Sequence, residues 1–133
     1  MKRRALLGYQ LITGLSDTST GLLLVFAPAL TLHLMKLQVA PEALPFLSYV
    51  GVFVLSVGIA CLYGGTVIHR TEKLEVVWLL TAVTRALVAL FVLAKILEGK
   101  LQPGWVTVAI TDALFASIQV FGLQKGWLRH VEP

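Results

Sequence analysis

The sequence predicts an all-α protein: an integral membrane four-helix bundle with up-down-up-down topology. Of its 133 residues, 57% are hydrophobic and only 14% are charged. Soluble domains carry about 25% charged residues. The mean hydropathy of +0.84 is also far above that of disordered chains, which are polar and strongly charged. One spanning helix uses about 20 apolar residues, so four spans and short connections account for most of the chain. We therefore expect a single membrane domain over residues 1–133.

The first two spans are separated by a segment that begins with proline. The first predicted span covers residues 5–27 and ends before Pro28, which suits the first turn of a new helix. Residues 28–37 are too few to cross a bilayer, so we expect them to lie at the membrane interface. The second predicted span covers residues 45–68.

The third and fourth spans form the second half of the bundle. The third covers residues 72–97, and Thr71 is its candidate N-cap. A Gln-Pro-Gly turn at residues 102–104 precedes the fourth span, which covers residues 105–123. The connections are short, so consecutive helices are expected to be antiparallel neighbours.

Basic residues flank the predicted spans unevenly. Seven lie on the side that holds both termini and three on the other, while Arg85 lies within a span. Lys and Arg accumulate on the cytoplasmic side of membrane proteins, so both termini are predicted to be cytoplasmic. The same residues form no continuous face with interleaved aromatics, and we expect no nucleic acid partner. The seven are Lys2, Arg3, Arg4, Arg70, Lys73, Lys125 and Arg129, and the three are Lys36, Lys95 and Lys100.

Three ionisable residues lie well inside the spans: Asp17 in the first, Arg85 in the third and Asp112 in the fourth. A rise of about 1.5 Å per residue places them at similar depth. A charge at the bilayer centre costs about 2.5–3.5 kcal/mol, so three charges facing lipid separately would be hard to retain. An arginine between two carboxylates lowers this cost, because its planar guanidinium serves both at once. We therefore predict that the three form one buried charge cluster.

Other polar side chains share the faces of these residues, because they are spaced from them by three or four positions. Gly14 and Gly21 flank the polar stripe of the first span, and small residues let another helix approach closely. We expect these faces to enclose a polar patch at the bundle centre. The supporting residues are Gln10, Thr13 and Thr20 on the first span, Trp78 and Thr81 on the third, and Gln119 on the fourth.

The predicted cluster admits three interpretations. A buried Arg–Asp network can fix helix register and nothing more. It can also contact an apolar ligand, a lipid or a quinone, or belong to a proton pathway, since charge inside a membrane often marks a functional site. The sequence has no nucleophile, phosphate-loop or dinucleotide motif, and no Cys or His spacing typical of a metal site. We therefore predict no catalytic residue, no metal ligand and no resident cofactor, with quinone or lipid as the ligand classes.

A short internal repeat links the first and third spans. Residues 13–17 and 81–85 each read threonine, small, apolar, hydroxyl, charge. Both segments lie in spans that start on the same side of the membrane. The repeat therefore indicates a parallel duplication of a helical hairpin.

Four spans in so short a chain resemble the DoxX-like group of small bacterial membrane proteins. The resembling segments are the stretch from Gly14 to Pro28, with Thr-Gly at 20–21 and Phe-Ala-Pro at 26–28, and residues 81–85. The resemblance implies a multi-pass protein of the bacterial inner membrane. Some members of the group are tied to thiosulfate:quinone oxidoreduction, so it also implies a quinone or lipid context. No catalytic motif of the group is matched.

The leading functional prediction is a small non-catalytic membrane protein that packs in a larger membrane complex or binds an apolar ligand near the charge cluster. This prediction follows from the absence of any convincing redox ligand in the sequence. One alternative is the membrane subunit of a quinone-linked oxidoreductase, with its electron donor supplied by a partner. Another is a small proton-coupled transporter that acts as a homodimer.

Overall fold

The computed structural model describes residues 2–129, and this part of the chain folds as helices. Short 3₁₀ turns at Pro41–Ala43 and Pro103–Trp105 lead into the third and fifth α-helices. The all-α prediction is therefore confirmed. The five α-helices are α1 (Arg3–Phe26), α2 (Pro28–Leu34), α3 (Leu44–Thr66), α4 (Thr71–Leu97) and α5 (Val106–Gln124).

Prolines and polar connections set where these helices begin and end. Pro28 occupies the first turn of α2, where a missing backbone N–H costs nothing. The α4–α5 connection turns at Gly99, which has a φ of 71° that a residue with a Cβ adopts only at a cost. The four long helices α1, α3, α4 and α5 lie over the four predicted spans, and α2 lies within the predicted interfacial segment.

Three segments of the structure are long and apolar enough to cross a membrane: Pro41–Thr66, Thr71–Leu97 and Pro103–Gln124. They contain α3, α4 and α5, and large exposed apolar side chains cover their outer surfaces, which indicates a lipid environment. The helix α1 has 24 residues and is about 36 Å long, so it matches the others in length. Its polar residues, Gln10 and Asp17 among them, lower its hydropathy. The crossing of α1 thus stays a prediction.

The helices α1 and α3 pack closely because glycines line their contact. A Cβ built on Gly21 would lie 2.5 Å from the backbone nitrogen of Leu55, and one on Gly51 would lie 2.6 Å from Cβ of Leu24. Only glycine permits so close an approach at these points. The helices α4 and α5 pack against each other as well, and the buried residues of both include alanines. The chain therefore forms two packed hairpins: the first hairpin (α1 and α3) and the second hairpin (α4 and α5).

The two hairpins meet around a core of large side chains near the connection between α3 and α4. Leu6, Leu74 and Trp78 have no exposed surface there, and Ile68 and Leu128 complete the buried group. Farther along the bundle the centre is polar. The candidate site occupies this polar centre.

Candidate functional site

Arg85 lies between two carboxylates that come from different helices. Its Nη1 donates to Oδ1 of Asp112 on α5 at 3.0 Å, and its Nη2 donates to Oδ2 of Asp17 on α1. The Arg85 side chain is 2% exposed, whereas the side chains of Asp17 and Asp112 are 15% and 20% exposed. The buried salt bridge expected from the sequence is therefore present. The cation is enclosed and the two anions reach the surface.

An aromatic ring and a thiol complete the surroundings of the guanidinium. The Phe115 ring lies under Cζ of Arg85 at 5.0 Å from the ring centroid, a distance typical of a cation–π contact. The Sγ atom of Cys61 lies 3.9 Å from Nη2. Within residues 2–129, Nε of Arg85 is buried and has no hydrogen-bond partner. The guanidinium is thus held by its two terminal nitrogens and its flat face.

A second polar layer joins the two hairpins one to two turns away from the cluster. The indole Nε1 of Trp78 donates to Oε1 of Gln10 at 3.2 Å, and Nε2 of Gln10 donates to the carbonyl oxygen of Cys61 at 3.2 Å. Gln10 and Trp78 have no exposed surface. Their hydrogen bonds satisfy polar groups that would otherwise be costly to bury.

The remaining predicted polar residues divide into a buried set and one exposed residue. Nε2 of Gln119 donates to Oγ1 of Thr81 at 2.7 Å, and both side chains are buried. Thr13 is buried too, but its hydroxyl donates to the carbonyl oxygen of Tyr9 on its own helix at 2.9 Å. The sequence analysis predicted that Thr20 also belongs to the polar centre. In the structure its side chain is exposed, so Thr20 is not part of this buried set.

The helices α1 and α5 pack far less closely on each other than α1 packs on α3 or α4 on α5, so the side of the bundle between them, here called the α1–α5 seam, is only loosely closed. One contact does close the seam: the Tyr9 hydroxyl on α1 donates to the carbonyl oxygen of Phe115 on α5 at 3.2 Å, and the two rings meet edge to face. Spacing by three or four places Ser16 and Thr20 on the Tyr9 face of α1, and Thr111 on the Phe115 face of α5. All three of these side chains are exposed. The seam therefore carries several exposed hydroxyl groups within a bundle surface that is mostly apolar.

The charge balance at the seam is negative, since two carboxylates share one guanidinium. Among residues 2–129, no group donates to Oδ1 of Asp17 or to Oδ2 of Asp112. These two oxygens are free acceptors on the two helices that border the seam. No three His, Cys, Asp or Glu side chains in the described part of the chain lie close enough together to hold a metal ion. The arrangement can accept hydrogen bonds from a donor or take up a proton.

The sequence analysis identified no role for Tyr9 or Cys61. The structure shows instead that Tyr9 bridges α1 and α5, and that Cys61 supplies both a carbonyl and a thiol to the polar centre. One signal for Tyr9 was available, because it lies four residues before Thr13 on the same helix face. No sequence signal marks a backbone carbonyl as an acceptor for a side chain of another helix.

The resemblance to the DoxX-like group rests on short segments of α1 and α4 and remains a prediction. Comparison of the chain with protein-family models, with curated proteins and with solved structures finds no match in any of the three.

Proposed function

We propose that this chain is a four-span protein of the bacterial inner membrane with both termini in the cytoplasm, built as a parallel duplication of a helical hairpin. Three spans have the required length and composition. For α1 the support is its length and the apolar residues it exposes, including Ile12, Leu15 and Phe26. The polar residues Gln10 and Thr13 face the bundle interior, where lipid does not meet them.

Within this bundle we propose a non-catalytic role, the binding of an apolar ligand whose head group donates hydrogen bonds. The observation that carries the proposal is the uneven exposure of the cluster: the cation is buried, whereas both anions are partly exposed, keep a free oxygen each, and lie on the two helices that border the α1–α5 seam. A cluster that only fixes helix register does not require partly exposed carboxylates with free oxygens. A ligand that donates to them offsets the excess negative charge and covers the polar surface of the seam.

The depth of the cluster favours a quinol over a lipid head group. Asp17 lies near the middle of α1, about 21 Å from its first residue and about 14 Å from its last, at 1.5 Å per residue. A charged lipid head group is most stable at the interface, roughly 15 Å from the bilayer centre. A neutral quinol ring dissolves in the hydrocarbon region and carries two hydroxyl donors. An oxidised quinone has acceptors only, which do not match free carboxylate oxygens.

A further observation favours packing against another membrane helix. Small residues line a groove of about 450 Å³ between the outer faces of α4 and α5. Small residues at a helix surface let a neighbouring helix approach closely in lipid. The groove residues include Ala86, Ala89, Ala113, Ala116 and Ser117.

The ligand proposal is tested by thermal melting of the purified protein in mild detergent, under anaerobic conditions. The probes are decylbenzoquinol, its oxidised quinone and phosphatidylethanolamine. We expect the quinol to raise the melting temperature of the parent, because a ligand that binds only the folded state stabilises it. Asp112→Asn keeps an oxygen for Arg85, so without ligand it should melt only a few degrees below the parent, as a loss of about 1 kcal/mol implies, but its quinol shift should be lost. Ser56→Ala, an exposed polar position on α3, is the matched control and should keep the shift.

Three results would overturn the ligand proposal as stated. The first is the absence of any quinol shift in the parent. The second is an equal quinol shift in Asp112→Asn. The third is a shift with phosphatidylethanolamine and none with quinol, which would assign the seam to a lipid.

A further inference from the structure

Each buried residue of α1 has a buried counterpart 68 residues later in α4. The two helices also begin 68 residues apart, at Arg3 and Thr71. Arg85 is buried as well, and its counterpart is the half-buried Asp17. The buried residues of α1 are Leu6, Gln10, Thr13, Gly14, Gly21 and Leu24, and those of α4 with the same spacing are Leu74, Trp78, Thr81, Ala82, Ala89 and Val92.

The helices α3 and α5 show the same agreement at a separation of 58 residues. All four buried residues of α3 recur in α5, and α5 has no others. The two helices also end 58 residues apart, at Thr66 and Gln124. The four of α3 are Gly51, Gly58, Cys61 and Gly64, and the four of α5 are Ala109, Ala116, Gln119 and Gly122.

Contacts between the hairpins identify the symmetry that relates them. Gln10 bonds Trp78, and Asp17 bonds Arg85, so each residue pairs with its own counterpart 68 positions away. A residue meets its own equivalent only near a twofold axis. The packing of the second polar layer repeats as well. A Cβ on Gly64 would collide with Nε2 of Gln10, and one on Gly122 would lie 2.6 Å from Cζ3 of Trp78.

We propose that the two hairpins are equivalent halves about a twofold axis along the bundle, and that residue 54 is the vacant counterpart of Asp112. Position 54 lies 58 residues before Asp112 and holds Val54, which has no charge. The counterparts of the first helix of each hairpin are 68 residues apart, and those of the second helix are 58 apart. The connection between α1 and α3 is therefore ten residues longer than that between α4 and α5, and it contains α2. Asp112 thereby determines that the carboxylates line the α1–α5 seam and not the equivalent side between α3 and α4. The importance of this side rests on the proposed ligand role, whereas the symmetry does not.

The twofold axis predicts that the charge cluster can be rebuilt at the symmetry-related positions of the full-length protein, with its cation at position 17 and its acids at positions 85 and 54. This rebuilt cluster is called the mirrored cluster below. Exchanging Asp17→Arg and Arg85→Asp puts the cation on α1, and its own hairpin partner α3 must then supply the second carboxylate. The double variant lacks that carboxylate and leaves two acids together on α4 and α5. Adding Val54→Asp and Asp112→Val supplies the acid on α3 and removes the surplus one. We expect the double variant to unfold at a much lower denaturant concentration than the parent, and the quadruple variant to recover most of this loss.

The matched control quadruple variant carries Val52→Asp in place of Val54→Asp, because Val52 is exposed on the same helix and its counterpart Ile110 is also exposed. The control should stay as unstable as the double variant. Equal unfolding midpoints for the two quadruple variants would overturn the equivalence of positions 54 and 112. A double variant that unfolds at the same denaturant concentration as the parent would overturn this equivalence too.

A second exchange keeps the symmetry testable even if charge variants fail to insert. Gln10→Trp combined with Trp78→Gln swaps the axial pair, with Gly64 making room for the new indole as Gly122 does for Trp78. The double exchange should unfold at a higher denaturant concentration than either single variant. A double variant less stable than both single variants would overturn the proposed axis.

Quinol protection of a single introduced cysteine separates the symmetry from the proposed function. In a Cys61→Ala background, quinol should slow maleimide labelling of Thr111→Cys on the parent cluster. On the mirrored cluster it should slow labelling of the counterpart, Phe53→Cys. If the mirrored variants are stable but quinol protects neither Thr111→Cys on the parent cluster nor Phe53→Cys on the mirrored cluster, the symmetry is retained and the ligand role is overturned. Protection of Thr111→Cys on both clusters would show that Asp112 does not determine the binding side.

Discussion

Replacing Arg85 with alanine removes the only cation from the charge cluster. The side chain is 2% exposed and donates to Asp112 at 3.0 Å and to Asp17, so the change breaks two ion pairs at once. Removing one partner of a buried ion pair typically costs about 3–5 kcal/mol, because the remaining charge is left uncompensated. We therefore expect the free energy of unfolding to fall by about 3–5 kcal/mol in Arg85→Ala. Partial exposure of both carboxylates should keep the loss within this range although two pairs are broken.

The two aspartate variants should be milder. In Asp17→Asn or Asp112→Asn one carboxylate still balances the guanidinium, and the new amide oxygen still accepts a hydrogen bond. The change replaces a charge-assisted hydrogen bond by a neutral one, which lowers stability by about 1 kcal/mol. The order of stability should therefore be parent, either asparagine variant, and then Arg85→Ala.

Reversible unfolding in mixed detergent micelles, followed by far-UV circular dichroism during titration with sodium dodecyl sulfate, measures this order. Arg129→Ala is the control, because Arg129 pairs with Glu75 at an exposed site and such pairs contribute little. An Arg85→Ala variant as stable as the parent would refute the balance of charges argued above. So would an asparagine variant less stable than Arg85→Ala. If ligand retention follows stability in all three variants, the cluster is a lock; if it is lost in a stable asparagine variant, the cluster is a site.

Three further predictions address the topology, the packing and the loops. In a Cys61→Ala background, single cysteines at positions 2 and 129 should label only from the cytoplasm, and one at position 102 only from outside; the opposite pattern would reject the orientation. Gly64→Ala should lower the free energy of unfolding by about 1–3 kcal/mol, because its Cβ collides with Nε2 of Gln10, whereas Gly65→Ala should not, because its Cβ meets only ordinary contacts at 3.7 Å; equal effects in chemical unfolding would contradict this packing. Hydrogen bonds from Lys100 and Lys95 hold the pKa of Glu98 below its usual value. The stability that this shift contributes is present above the pKa of Glu98 in the unfolded chain, about 4.3, and is lost as the pH falls through the lower pKa of the folded state. The melting temperatures of the parent and of Glu98→Gln should therefore differ at pH 7 and converge in acid. A difference that stays constant with pH would exclude this contribution.

Much of the charge cluster was accessible to sequence reasoning because the energetics leave few choices. Asp17, Arg85 and Asp112 are costly in lipid one by one, and a single arginine can satisfy two acids at equal depth. The structure places them in that relation. The stripe logic failed at Thr20, since sharing a helix face with Thr13 does not ensure that a neighbouring helix covers both positions. The same limit hid the bridging role of Tyr9, which depends on the position of Phe115 on another helix.

The sequence by itself determined the helical class, the approximate positions of the long helices and the breaks between them, because apolar run length, Pro28 and the turn glycines act locally. Only the tertiary structure decided which helix faces meet, and with it the agreement between the two hairpins. Equivalent positions hold unlike residues, such as Gln10 and Trp78 or Asp17 and Arg85, so the sequence shows no more than a five-residue repeat. Burial depends on the space between helices and not on residue type. Residues as different as glutamine and tryptophan can therefore fill matching places on one axis, as long as each satisfies the polar group of the other.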